Sequence, residues 1–326
     1  MLRKLSKSGI YLQLTLTILM LGLFVVTPPL DLKTLTVAGN IAPLAEIIRH
    51  ILPGNQIAQT IIAALLAFGI FLIFNLILIN QDIVPRQSMI VAFIGSVFIL
   101  FSGSSGHLIL LLCTIYLLLF SLYNILKIYG EQYPYILVLN ASVAISAASM
   151  IIPPAIAFFP FIWMGFFTLR IGTWREWSIS LLGLMLPYLY LLFWFFWNNN
   201  LVEALHNYSN FFSSLSPGFI NPSLTELVTY IILGLLLLLS LFSFLGDTGE
   251  KIISLRKKMW IIAQFLLAGL LFLFLSGPGW PSMLPVIALP LSVMFAFLVL
   301  KSKKSWFYDL LLGIFFLLVI LLRINI

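Results

Sequence analysis

Eleven apolar stretches, at 10–27, 57–79, 87–102, 107–126, 133–150, 154–170, 177–197, 225–245, 259–275, 283–300 and 305–323, leave little of this chain for anything else. Most approach or exceed the about 20 residues that a helix, rising about 1.5 Å per residue, needs to cross a hydrocarbon core of about 30 Å. They are continuous rather than alternating, which favours helices over an outer-membrane barrel. Composition agrees: 8% of the residues are charged, against about 25% in soluble domains. The expectation is an all-α, polytopic transmembrane helical bundle of about eleven spans, forming one integral membrane domain over residues 1–326. The basic start MLRKLSKS precedes its apolar stretch without a small-x-small cleavage site, so 10–27 reads as the first span rather than a signal peptide.

The basic residues fix an expected orientation. With a cytoplasmic N-terminus, fourteen of the seventeen lysines and arginines fall in inner loops, and only Lys33, Arg49 and Arg323 remain outside. This is the asymmetry of the positive-inside rule. The formal charge of +7 is then accounted for by short loops facing anionic headgroups, and nucleic acid is not an expected partner. Cys113 is the only cysteine, which excludes an intrachain disulfide framework or a thiolate metal cluster.

Two outer loops, 28–56 and 198–224, exceed a turn. In the first, Leu44, Ile47, Ile48, Ile51 and Leu52 recur at helical spacing, with Glu46, Arg49 and His50 opposite them. Pro43 suits a first turn and Pro53-Gly54 a stop. In the second, Leu201, Leu205, Tyr208 and Phe212 form a stripe, with Glu203, His206, Asn207 and Asn210 facing away. Both loops are expected to carry amphipathic helices lying at the interface. Elsewhere, Ser223-Leu224-Thr225-Glu226 has capping-box spacing, and Ser276-Gly277-Pro278-Gly279-Trp280-Pro281 reads as a rigid turn with an interfacial tryptophan. Asn75, Asn124, Asn140 and Asp309 fall within spans, where polar groups mark packed interiors; Asp309 is close enough to Lys303 and Lys304 to snorkel.

Sharp enzymatic motifs are absent: no phosphate-binding Gly-rich loop, no His-Glu-x-x-His and no nucleophile elbow. His50, His107 and His206 share no spacing that suggests zinc. No cofactor is expected; a divalent metal has no support in the ligand set. What remains is Asp31 just past the first span, a candidate general base for an acceptor hydroxyl. Arg49 and Lys33 could hold a lipid phosphate by charge-assisted bonds. Glu46, His50, Glu203 and His206 would line the cleft. The plainer alternative is a solvated helix face, since Glu46 stands three and four residues from Arg49 and His50, the spacing of ordinary surface pairs.

The segment Leu30-Asp31-Leu32, followed by the amphipathic stretch 43–52, resembles the polytopic glycosyltransferases of the C-type fold. That resemblance covers the first third of the chain. It implies transfer from a polyprenyl-phosphate-linked sugar at the outer face, with Asp31 as the acid in the first outer loop. Paired acids are common in those enzymes; here Asp31 stands alone. Separately, Arg170-Ile171-Gly172-Thr173-Trp174-Arg175-Glu176-Trp177, with Leu182-Gly183-Leu184-Met185-Leu186-Pro187-Tyr188 after it, resembles a family of small multi-spanning proteins from Bacteroidota. It implies a bacterial inner-membrane location and no activity. Two other classes stay open: a flippase or transporter for a lipid-linked substrate, and a non-catalytic subunit bound to an envelope protein partner.

Overall fold

The computed structural model describes residues 10–27, 42–84, 89–100, 105–202, 205–206, 224–250, 252–301 and 305–324. Among these, every regular element is helical: α1 (Ile10–Val26), α2 (Pro43–Ile51), α3 (Gln56–Asn80), α4 (Ile90–Ile99), α5 (Ser105–Lys127), α6 (Tyr135–Ile151), α7 (Phe159–Leu169), α8 (Trp174–Trp197), α9 (Leu224–Asp247), α10 (Ile253–Leu275), α11 (Pro285–Lys301) and α12 (Ser305–Ile324). Short 3-10 helices cover Pro153–Phe158, Thr248–Glu250 and Gly277–Met283. Each of the eleven apolar stretches carries a helix, and α2 is the amphipathic helix expected over 43–52. In the second loop, 201–202 and 205–206 are helical. Asp31, Lys33, Glu203 and Ser223 lie outside the described residues.

Five helices, α3, α5, α8, α9 and α10, are long and apolar enough to cross a membrane. Others are shorter. The ten residues of α4 reach about 15 Å, half of a hydrocarbon core of about 30 Å. All ten are buried, so protein rather than lipid surrounds α4. It packs on α1, α3 and α11. The stretch 154–170 also departs from a plain span. Pro153 holds Ile152 extended (φ −130°, ψ 102°) and ends α6, and a 3-10 turn intervenes before α7.

Helix pairs α5–α6, α6–α8, α3–α5 and α9–α11 form the most extensive packing. The α6–α8 contact is built from small and hydroxylated residues, which let helix backbones approach where lipid offers no hydrophobic drive. Ser146 Oγ donates to the Leu184 carbonyl at 2.8 Å, and Ser149 Oγ and the Tyr188 hydroxyl lie 2.7 Å apart. From α7, Trp163 Nε1 also donates to Ser180 Oγ of α8 at 3.2 Å. Gly183 sits where an added Cβ would come 2.7 Å from Ser142 Cβ and 3.0 Å from the Leu139 carbonyl oxygen. The opposite side of α8 is exposed and aromatic, with Tyr190, Phe193, Trp194, Phe196 and Trp197 outermost. At the start of α8, Thr173 Oγ1 donates to the buried Glu176 carboxylate, joining two residues at capping-box spacing.

Helix C-termini leave carbonyls unpaired, and basic side chains meet them at both ends of the bundle. Arg323, near the end of α12, is fully buried, 0% exposed. Its Nε donates to the Leu100 carbonyl at 2.7 Å. One terminal nitrogen donates to Thr27 Oγ1 at 2.8 Å and lies 3.5 Å from the Phe24 carbonyl. The guanidinium also stacks over the Phe24 ring, 4.8 Å from its centroid. The ends of α1, α4 and α12 therefore meet. Elsewhere, Lys257 Nζ donates to the Leu169 carbonyl (3.3 Å) over the Tyr129 ring, and Lys258 Nζ to the Gln81 carbonyl (3.1 Å). That groups the ends of α3, α5 and α7 with the start of α10.

Candidate cleft at Arg49 and His107

Helix α2 begins with Pro43 in its first turn and ends where Leu52 turns extended before Pro53. The turn into α3 is pinned: Asn55 Oδ1 accepts from the Ile57 amide (3.0 Å), and Gln59 Nε2 donates to the Pro53 carbonyl (2.9 Å). Held this way, α2 packs across α5 and α6. Its apolar stripe is divided. Leu44, Ile48 and Leu52 pack on the core beside buried Ala45, whereas Ile47 (55%) and Ile51 (77%) remain exposed. Those two are free to meet acyl chains. Glu46 and His50 are exposed.

Arg49 is exposed as well, but unlike them it contributes to a cleft. Ala42, Ala45 and Arg49, spaced three and four residues apart, line one small cleft with His107, Leu110, Ile151, Ile152 and Met283. Four separate stretches of chain thus converge. His107 stands in the first turn of α5, Ile151 and Ile152 end α6 at the double proline, and Met283 closes the Gly277–Met283 turn. The cavity measures about 10 Å³, about the least that one water occupies. His206 is exposed and does not line it.

The turn at 277–283 does more than join α10 to α11. Gly277 takes a positive φ of 57°, which glycine adopts without strain. Trp280 stacks against Tyr230, 4.9 Å between centroids, so it packs on α9 as well as marking a span end. Ser282, buried, lies 3.3 Å from His107 Nε2 and donates to the Gly279 carbonyl at 2.8 Å. His107 and Ser282 are the residues that spacing could not find, being 175 positions apart.

The in-span amides take other places. Asn75 and Asn124 are buried, and Asn124 Nδ2 donates one turn back to the Phe120 carbonyl (2.8 Å). Asn140 and Asp309 are half-buried. None of the four lines the cleft. Among the described residues, no group of three His, Cys, Asp or Glu side chains is placed to hold a metal ion.

No protein-family profile, curated protein or solved structure matches the chain. The chemistry on offer is therefore that of the cleft itself: an arginine, whose guanidinium recognises phosphate and carboxylate by paired donors, and a histidine, both lining one small apolar-walled space.

Proposed function

We propose that the protein is a multi-pass bacterial inner-membrane protein that acts on a polyprenyl-phosphate-linked sugar at the outer face, in the manner of a membrane-embedded glycosyltransferase. One observation carries this reading. Helix α2 brings Arg49 to the lining of a cleft while the neighbouring Ile47 and Ile51 stay exposed beside it. A lipid phosphate moving along the bilayer surface would reach Arg49 with its chain still among acyl tails. Asp31 is the base of this reading, and Lys33 a second phosphate contact. The side is argued from charge. Lys257 and Lys258 group the ends of α3, α5 and α7 on the basic side, which the positive-inside rule makes cytoplasmic.

The flippase reading needs a polar route through the bundle. Asn75, Asn124 and Asn140, its best candidates, are absent from the cleft lining, so the transfer reading is preferred. A stoichiometric partner burying α2 would favour the scaffold instead.

The test is binding followed by turnover with purified protein in nanodiscs. Arg49→Gln is expected to weaken capture of polyprenyl phosphate about 10–100-fold, the worth of one charge-assisted hydrogen bond. Asp31→Asn should bind normally and release sugar from a polyprenyl-phosphate glucose donor about 100-fold more slowly. Equal binding by Arg49→Gln removes the phosphate site, and unchanged release by Asp31→Asn removes the base.

A further inference from the structure

Hydrogen-bond roles in the cleft can be assigned from donor counts. The Ser282 hydroxyl has one hydrogen, and it goes to the Gly279 carbonyl, which can only accept. The contact between Ser282 Oγ and His107 Nε2 at 3.3 Å must then run from Nε2–H to oxygen. That fixes the tautomer of the neutral ring, leaving the lone pair on Nδ1. The residues lining the cleft thus include a donor, Arg49, and His107, whose remaining acceptor is Nδ1, around a space of about 10 Å³. An oxygen that satisfies both must accept one hydrogen bond and donate another. A carboxylate or the phosphate of a diester has no hydrogen to give.

We propose that the cleft is a subsite for the protonated oxygen of a phosphate monoester on a lipid chain: Arg49 donates to the phosphate, and its P–OH donates to His107 Nδ1. The apolar walls of Leu110, Ile151, Ile152 and Met283, with a single guanidinium, favour the singly charged phosphate that carries this hydrogen. Resting on the lipid-phosphate reading above, the proposal names the ligand more narrowly. The tighter ligand is the sugar-free carrier, and the sugar-bearing diester is the weaker one. Ser282 is a positioning residue, because it acts only through the imidazole.

The experiment compares binding of polyprenyl phosphate, polyprenyl-phosphate glucose and inorganic phosphate to protein in nanodiscs by native mass spectrometry. The monoester is expected to bind at least about tenfold more tightly than the diester, one hydrogen bond's worth. His107→Ala should abolish that preference while Arg49→Gln weakens both lipids. Ser282→Ala, which leaves the ring in place but frees its tautomer, should shrink the preference and serves if His107→Ala fails to fold. Equal binding of monoester and diester by the wild type overturns the subsite and leaves the lipid-phosphate reading standing; binding of neither lipid overturns both. Competition by inorganic phosphate at the lipid's own concentration would assign the cleft to a soluble ligand and overturn the lipid assignment.

Discussion

Gly183→Leu should detach α8 from α6 and lower stability by about 2–4 kcal/mol. A Cβ alone would stand 2.7 Å from Ser142 Cβ and 3.0 Å from the Leu139 carbonyl oxygen; the second is backbone and cannot swing away. Overpacking of this kind costs about 1–3 kcal/mol. Separating the helices also breaks the contacts at Ser146 and Ser149, each worth about 0.6 kcal/mol between membrane helices. Equilibrium unfolding in mixed micelles, read by the tryptophan fluorescence of α8, measures the loss. A change below about 1 kcal/mol would show that α8 docks less closely than described. The cause is checked by a double-mutant cycle, in which Ser142→Gly should recover part of the loss caused by Gly183→Ala.

Replacing Arg323 by methionine keeps comparable bulk but removes the donors that meet Leu100 and Thr27. The arginine's own burial is costly, yet deleting it leaves acceptors buried in place, and each such group costs about 1–3 kcal/mol. The expected loss is about 2–5 kcal/mol. Arg323→Lys keeps the charge without the planar fork, so it should recover only part of this. Hydrogen exchange locates the effect: protection should fall first at the ends of α1, α4 and α12. Uniform loss across the bundle would mean that Arg323 does not act through that junction.

These two residues also show where sequence reasoning reaches and where it stops. Hydrophobic run length is local, so all eleven apolar stretches could be read as helices. Their surroundings could not: α4 is apolar on every side, and a helix surrounded by protein reads the same as one surrounded by lipid. Arg323 reads as an outer surface charge because nothing near it in sequence announces two helix ends coming to meet it. Gly183 is one glycine in an apolar run until α6 lies against it. In the candidate site, the helix α2 was legible from its period and its prolines. The wheel alone grouped Arg49 with Glu46 and His50; which side of Arg49 faces protein depends on where α5 and α6 stand. His107 has no informative spacing to the other histidines, because its partner is a serine on a Gly-Pro turn. The only local hint was a histidine in the first turn of an otherwise apolar helix.

The junction at Arg323 also bears on the order in which the bundle is made. Thr27 and Leu100 leave the ribosome long before residue 323, so the ends of α1 and α4 must wait through most of translation for that guanidinium. Neighbours such as α5 and α6 can pair as they emerge. Docking of α12 is then the step that completes this junction, and until it happens the first helix is held by its packing and by the bond from the Met89 amide to Gln13 Oε1.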